Sequence, residues 1–274
     1  MSDELKDLYR QNEINAIAGI IIKSATGLEK LHQLYDPDHV VTAEQSLLII
    51  TMCKELKTGR PLQYILGETS FFNCTIKLNN STLIPRPETE ELVDLLIREN
   101  SGYNGRIIDI GTGSGCIAIA LAANLPQSLV TGIDISAEAV SIAIKNAVLN
   151  TVNVNFIKAD LFDIDPVSLN KAGIIVSNPP YVLNSEKKFM NNNVLDFEPH
   201  TALFVPDSDP LLYYRAILKL SEKILPGSGK IYFEINESMG RLISMLLESF
   251  NYSGIMIIKD INGKDRIIKG IKNA

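Results

Sequence analysis

The chain has 274 residues, the composition of an ordinary globular protein, a formal net charge of −6 and a pI near 5.2. This length allows a sizeable core in one large domain or two smaller ones, and the acidic balance argues against a general DNA- or RNA-binding surface. No apolar run reaches the roughly 20 residues that cross a bilayer, so we expect no membrane contact.

The cysteines and histidines do not have the spacing of a disulfide framework or a metal site. The three cysteines are odd in number and widely separated, without a C-x-x-C pair, which fits a cytoplasmic protein. The three histidines are isolated from one another, so we predict no metal site. These residues are Cys53, Cys74, Cys116, His32, His39 and His200.

The first 68 residues have the apolar spacing of helices. Between Ile14 and Ala25, apolar side chains recur at i, i+3, i+4, i+7, i+8 and i+11, which is one face of a helix. In "TAEQ", Thr42 begins a capping box for a second helix, and "RPLQYILG" predicts a short third one with Pro61 in its first turn. We predict a helical bundle over residues 1–68.

Residues 69–84, "TSFFNCTIKLNNSTLI", change to β-prone residues. Asn79, Asn80 and Ser81 interrupt them, and we place the turn of a β-hairpin there. This hairpin is predicted to connect the bundle to a second domain over residues 85–274.

From Arg106 onward, short β-branched runs alternate with helical ones. The β-prone runs are "RIIDI", "SLVTGID", "VNFIKAD", "GIIVSN", "KIYFEI", "GIMIIKD" and "RIIKGI". Strands separated by helices predict an α/β domain with a parallel sheet and helices on both faces, to which the last two runs can add an antiparallel edge.

A glycine-rich loop follows the first of these strands. "DIGTGSGCIAIALA" runs from Asp109 through Gly111, Gly113 and Gly115 into an apolar helix. Glycines let the backbone come close to a ligand, and the helix N-terminus offers unpaired N–H groups. The NAD fingerprint would need Gly or Ala at Cys116, so the spacing here is G-x-G-x-G instead.

Acidic residues end the next two strands. Asp134 follows the loop by roughly 20 residues, where a carboxylate can bind both hydroxyls of a ribose. Asp160 and Leu161 end the third strand, where an acid and an apolar side chain can cover an adenine. Because the carboxyl ends of parallel strands meet at one edge, these residues predict a ligand that contains a nucleoside. The alternative is that both acids are only solvated strand ends.

Glycine-rich and acidic segments in this order resemble the class I S-adenosylmethionine-dependent methyltransferases. The resemblance implies a Rossmann-like, seven-stranded sheet and S-adenosyl-L-methionine as the cofactor. The residues that it implies for cofactor binding are Asp109, Gly111, Thr112, Gly113, Ser114, Gly115, Asp134, Asp160, Leu161 and Asn178.

The fourth strand ends in "SNPPYV". The Asn178 side-chain oxygen and the Pro179 carbonyl can each accept one hydrogen from a planar NH₂ group and turn its nitrogen toward a methyl donor. Prolines lack the N–H groups that would otherwise occupy such carbonyls, and Tyr181 offers a flat face for stacking. We predict Asn178, Pro179 and Tyr181 as catalytic residues. The alternative is a Pro-Pro turn capped by Asn178.

The whole chain also resembles the bacterial release factor glutamine methyltransferases. The matching segments are, in order, "RPLQYILGETSFF", "LIPRPETEELV", "DIGTGSGCIAIALA", "SNPPYV", "FEPHTAL" and "GKDRIIKG". The resemblance implies methylation of N5 of the glutamine in the Gly-Gly-Gln motif of class I peptide chain release factors. We expect a cytoplasmic monomer without stable nucleic-acid binding, whose residues 1–68 dock the substrate protein.

The same resemblance implies a substrate pocket covered by the segment from Ile84 to Glu90. Its residues are Asn178, Pro179, Pro180, Tyr181 and Arg86. Arg86 orders this cover, touches substrate or only pairs with a nearby acid. Glu198 and His200 of "FEPHTAL" are either loop-ordering or pocket residues.

Two segments depart from the family pattern. In "DSDPLL", which replaces the common Asp-Gly-Leu, Asp209 and Pro210 are expected to open a helix. "EINES", from Glu234 to Ser238, replaces a Glu-Ile-Gly run followed by Gln.

Three other functions remain open from the residues. Methylation of a ribosomal-protein glutamine uses the same site chemistry. Methylation of adenine N6 needs a basic groove and a domain that binds a flipped base. A cofactor-binding module without catalysis is the third, and the intact Asn178-Pro179 pair argues against it.

Overall fold

The computed structural model describes residues 5, 6, 8–29 and 39–274, so His32 lies outside the described residues. The chain divides into two compact units. One comprises Met1–Gly67 with Asn191–Phe197, and the other comprises Glu68–Met190 with Glu198–Ala274.

The helices of the first unit pack around a small apolar core. Three of them are α1 (Gln11–Thr26), α2 (Ala43–Lys57) and α3 (Leu62–Leu66). The predicted face of α1 buries Ile14, Ile17 and Ile21, which pack with Met52 and Leu56 of α2. Burying these side chains stabilises helices that would be marginal alone, and the predicted helices are confirmed.

The predicted capping box at the start of α2 is also confirmed. The Thr42 side chain accepts from the Gln45 N–H at 3.2 Å, and the Gln45 side chain accepts from the Thr42 N–H at 2.9 Å. Two N–H groups that the helix cannot pair internally are thereby satisfied.

A hairpin joins β1 (Glu68–Phe71) to β2 (Cys74–Lys77). Its turn is formed by Phe72 and Asn73, with φ of 46° and 63°, so the predicted turn at Asn79 to Ser81 is wrong. Asn73 tolerates the left-handed conformation, and the Phe72 N–H is held by Glu90 Oε1 at 2.9 Å. Asn79 forms a separate turn, in which its Oδ1 accepts from the Ser81 N–H at 2.9 Å.

The remaining strands of the second unit form a seven-stranded sheet and a separate short pair. They are β3 (Arg106–Ile110), β4 (Leu129–Asp134), β5 (Val154–Lys158), β6 (Ile174–Ser177), β7 (Val182–Leu183), β8 (Phe204–Val205), β9 (Lys230–Glu234), β10 (Tyr252–Lys259) and β11 (Asp265–Lys272). The sheet order is β10-β11-β9-β6-β3-β4-β5. Strands β5, β4, β3, β6 and β9 are parallel, and β11 is antiparallel to both β9 and β10. The predicted parallel sheet with an antiparallel edge is confirmed.

Helices connect these strands. They are α4 (Pro87–Glu99), α5 (Cys116–Asn124), α6 (Ala137–Leu149), α7 (Asn192–Phe197), α8 (His200–Leu203), α9 (Leu212–Ile224) and α10 (Gly240–Ser249). Helix α9 begins at Leu212, so the expectation that Asp209 and Pro210 open it is wrong. The Asp209 carboxylate does not cap the helix and instead accepts from Arg215 Nη1 at 2.7 Å.

The core of the second unit lies between the sheet and its helices. Tyr214 and Ile217 of α9 and Ile243 of α10 pack with Ile175 of β6 and Phe233 of β9, all at most 1% exposed. Because β3, β4, β5 and β6 are parallel, the residues that follow them meet at one edge of this rigid sheet.

Candidate active site

A cavity of about 250 Å³ lies at the carboxyl ends of β3, β4, β5 and β6. Four segments that are distant in sequence supply predicted site residues to its wall. These are Gly111, Gly113, Asp134, Asp160, Leu161, Asn178, Pro179 and Pro180. A glycine loop, two acids and an Asn-Pro-Pro segment therefore face a common space.

The loop after β3 has the conformation that its glycines permit. Gly111 and Gly113 have φ of +73° and +54°, and a Cβ built on either would meet no atom within 4 Å. The Gly113 N–H donates to Asp134 Oδ2 at 2.8 Å, and Gly111 N donates to the Ile133 carbonyl at 2.9 Å. These hydrogen bonds hold the loop in place, and the open space beside its glycines allows a ligand to approach the backbone.

Asp109 lies beneath the loop, 0% exposed and outside the cavity lining. Its Oδ2 accepts from the Thr112 hydroxyl at 2.6 Å, whereas its Oδ1 has no hydrogen-bond partner among the described residues. Burial raises the pKa of Asp109 to about 7, the Thr112 hydrogen bond opposes this rise, and the charge of Asp134 adds to it. Asp109 therefore supports the loop from beneath through Thr112.

Asp134 and Asp160 both line the cavity and are ordered by backbone donors. Asp134 Oδ1 accepts from the Ser136 N–H, and Asp160 Oδ1 accepts from the Phe162 N–H, each at 2.9 Å. The Phe162 ring is 54% exposed and packs against Tyr213 at 5.5 Å between ring centroids. Tyr213 also lines the cavity. The sequence did not indicate this, because Tyr213 lies within the apolar pattern of α9.

Asn178 is held by residues behind the cavity. Its Nδ2 donates to Thr89 Oγ1 at 3.2 Å, and the Thr89 hydroxyl donates to Glu234 Oε2 at 2.6 Å. Tyr181 lies outside the cavity lining, and its hydroxyl donates to Glu234 Oε1 at 2.9 Å. Burial raises the pKa of Glu234, while the hydrogen bonds from Thr89 and Tyr181 oppose this.

Thr89 and Glu234 were missed from the sequence. A signal was present for Glu234, because it ends β9 next to β6 in the sheet, at the edge where the other acids lie. Thr89 carries no such signal, since "RPETEE" presents three carboxylates that a helix N-terminus also favours.

The connector reaches the cavity through Ser81, Thr82 and Leu83, which precede the segment predicted to cover it. Arg86 is outside the lining and donates to Glu198 Oε1, and Glu198 Oε2 accepts from the Ile84 N–H at 3.2 Å. Arg86 therefore pairs with an acid, and Glu198 binds the backbone of the connector.

Helix α8 supplies two further lining residues, Thr201 and Ala202. His200, just before them, packs edge-on against the Phe204 ring at 5.2 Å between centroids.

Within the part of the chain that the structure describes, no three His, Cys, Asp or Glu side chains are grouped so that they could hold a metal ion. Cys53, Cys74 and Cys116 are buried free thiols. None of the described helices combines the length and apolar character needed to span a bilayer.

Two protein-family matches cover most of the chain. Residues 1–67 match the PrmC N-terminal domain family, and residues 88–196 match the methyltransferase small domain family.

Individual relatives match over nearly the full length. A release factor glutamine methyltransferase of Flavobacterium psychrophilum is 46% identical over 97% of this chain and 94% of its own length. One of Bacteroides thetaiotaomicron is 43% identical over 96% and 95%. Among solved structures, a methyltransferase from Pyrococcus furiosus is similar with a TM-score of 0.56 and 16% identity, covering 85% of this chain and 100% of that one, which shows a shared fold.

Proposed function

Because the chain belongs to the release factor glutamine methyltransferase family, we propose that it methylates N5 of the glutamine in the Gly-Gly-Gln motif of class I peptide chain release factors. The observation that most supports this activity is that Asn178 and Pro179 line the same cavity as the glycine loop. A pair of amide-binding acceptors and a nucleoside-binding loop serve a transfer reaction when they share one space.

The residues present fit S-adenosyl-L-methionine, which when bound supplies an electrophilic sulfonium methyl group. Gly111 and Gly113 leave room for its methionine part along the backbone. Asp109 would support this loop from beneath, where its carboxyl accepts from the Thr112 hydroxyl. Asp134 would hold the ribose hydroxyls, and Asp160 with Leu161 would hold the adenine. In this proposal Thr112, Ser114 and Gly115 complete the loop.

The substrate amide must be oriented, because its nitrogen lone pair is delocalised into the carbonyl. Asn178 Oδ1 and the Pro179 carbonyl would accept the two N–H hydrogens, with Pro180 and Tyr181 completing the pocket. Each hydrogen bond contributes only about 1 kcal/mol, so alignment with the methyl group is the larger part of catalysis. The methylated nitrogen becomes acidic as the bond forms, and water takes its proton.

The first unit is proposed to dock the release factor, and the match of residues 1–67 to a family-specific N-terminal domain supports this. We place the activity in the cytoplasm, in a monomeric enzyme. Arg86 acts in this proposal through its pair with Glu198, which holds the connector beside the substrate pocket.

The proposal is tested by incubating the protein with S-adenosylmethionine labelled at its methyl group. The acceptors are a class I release factor, the same factor with the Gly-Gly-Gln glutamine replaced by alanine, ribosomal proteins and DNA. Label is expected on the unaltered factor alone. Undiminished label on the altered factor, or label on DNA or ribosomal proteins instead, would contradict the proposed substrate.

A further inference from the structure

Three residues from distant segments form a buried hydrogen-bonded chain behind the cavity. Thr89 lies in the first turn of α4, Asn178 follows β6, and Glu234 ends β9. Thr89 donates to Glu234 Oε2 at 2.6 Å and accepts from Asn178 Nδ2 at 3.2 Å. Thr89 and Glu234 are only 3% and 1% exposed and lie outside the cavity lining. They can therefore act on substrate only through the residues that they hold.

The chemistry of the groups gives this chain a single direction. A carboxylate only accepts hydrogen bonds, and a threonine hydroxyl has one proton. Because the Thr89 hydroxyl donates its proton in a hydrogen bond to Glu234, Thr89 Oγ1 can only accept from Asn178. The Asn178 amide therefore turns Nδ2 to Thr89, and none of the described residues donates to its Oδ1.

We propose that Glu234 and Thr89 are positioning residues that select which end of the Asn178 amide faces the substrate. The two orientations of an asparagine amide have nearly the same shape, so packing alone does not distinguish them. In the selected orientation Oδ1 is available to accept from the substrate NH₂ group. In the opposite orientation, the N–H groups of Asn178 would face the N–H groups of the substrate amide, and no hydrogen bond could form between them. This inference deepens the proposed function and rests on it.

The same carboxylate also holds the aromatic end of the Asn-Pro-Pro-Tyr segment. The Tyr181 hydroxyl donates to Glu234 Oε1 at 2.9 Å, so each carboxylate oxygen has its own donor. Glu234 thus anchors Tyr181 directly and Asn178 through Thr89. A buried carboxylate with both oxygens satisfied is a rigid support, because losing either donor leaves a buried acceptor unpaired.

The test compares Thr89→Val with Thr89→Ser in the full chain. Valine keeps the shape of threonine without its hydroxyl, and serine keeps the hydroxyl. We expect kcat for release factor methylation to fall at least about tenfold in Thr89→Val, because the amide loses the acceptor that orients it. The Kd for S-adenosylmethionine should stay within about twofold of wild type, since Thr89 is outside the cavity. Thr89→Ser should retain most of kcat.

Thr131→Val is the matched control, because Thr131 is also a buried threonine, 3% exposed, and lies on β4 outside the cavity lining. It should retain kcat, and thermal unfolding of every variant identifies any loss of fold.

Glu234→Gln tests the other end of the hydrogen-bonded chain. Its kcat can be measured even if Thr89→Val does not fold. The glutamine NH₂ can donate to Thr89 and turn its proton toward Asn178, which favours the opposite amide orientation. We expect kcat to fall at least about tenfold here too.

A kcat within about twofold of wild type in either Thr89→Val or Glu234→Gln would overturn the inference. So would an equal loss of kcat in Thr89→Ser. Absence of transfer by the wild-type protein would overturn the proposed function, and this inference with it.

Discussion

Asn178 is the residue on which the proposed chemistry depends most. Replacing it by alanine removes one of the two acceptors for the substrate amide and leaves the glycine loop intact. We expect Asn178→Ala to lower kcat by about a hundredfold or more, since the nitrogen is no longer aligned with the methyl group. The Kd for S-adenosylmethionine, measured by calorimetry, should change by only a few-fold.

Asn124→Ala is a control for the loss of an asparagine amide, because Asn124 Nδ2 donates to the helix carbonyl of Ala120 at 2.8 Å. It should keep its kcat. Turnover of Asn178→Ala at the wild-type rate would contradict the orientation mechanism.

Asp109 makes the stability of the protein depend on pH. The unfolded chain releases this proton near pH 3.8, whereas burial keeps the folded carboxyl protonated up to about pH 7. The folded state therefore binds more protons in this interval, and the free energy of unfolding falls as pH rises from about 4 to 7. The difference in pKa corresponds to at most about 4 kcal/mol.

Urea denaturation at pH 5 and pH 8 measures this effect. Asp109→Asn should have a smaller loss of stability between the two values, and part of the loss should remain because the pKa of Glu234 is also raised by burial. Asp163→Asn replaces an exposed acid and should leave the dependence unchanged. An equal pH dependence in Asp109→Asn and wild type would show that Asp109 is ionised in the fold.

At the scale of the element, a buried acid holds the end of the connector beside the cavity. Glu198 is 4% exposed and holds both the Arg86 guanidinium and the Ile84 N–H, directly after the cavity-lining residues Ser81 to Leu83. Glu198→Gln keeps an acceptor for Ile84 but loses the charge that holds Arg86. We expect the free energy of unfolding to fall by about 2 kcal/mol and the Kd for S-adenosylmethionine to rise several-fold.

Glu55→Gln is the matched control, since Glu55 pairs with Arg60 at 2.8 Å in the first unit and is more exposed. Thermal unfolding and calorimetry should detect little change in it. If Glu198→Gln bound the cofactor as tightly as wild type, the contacts of Glu198 would have no part in shaping the cavity.

The elements also differ in how far their own residues predict them. The helix α2 begins where its capping box predicts, because both partners lie within one turn. The hairpin turn lies at Phe72 and Asn73 instead of the more turn-prone Asn79, because cross-strand register and the hydrogen bond that the Phe72 N–H donates to Glu90 outweigh local preference.

At the scale of the molecule, the division into an N-terminal bundle (1–68), a connector (69–84) and a methyltransferase domain (85–274) is a proposal that ligand binding can test. A ligand that binds only the folded second unit stabilises it by about 2.7 kcal/mol at 100 times its Kd. We expect S-adenosylmethionine to slow hydrogen exchange in residues 110–116 and 133–136. Exchange in α1 and α2 should stay unchanged, because they are stabilised by their own core. Equal slowing in α1 would contradict independent units.

The sequence by itself determined the alternation of strands and helices, the glycine spacing after β3 and the chemistry of the Asn-Pro-Pro-Tyr segment. These features depend on local conformational preference and on the rule that parallel strands end at one edge, so they are readable over short stretches. The tertiary structure alone decided that Asn178 is held by Thr89, that Thr89 is held by Glu234 and that Arg86 pairs with Glu198. Those partners are 89, 145 and 112 residues apart, and no local preference acts over such distances. They meet only when the sheet and its helices have packed.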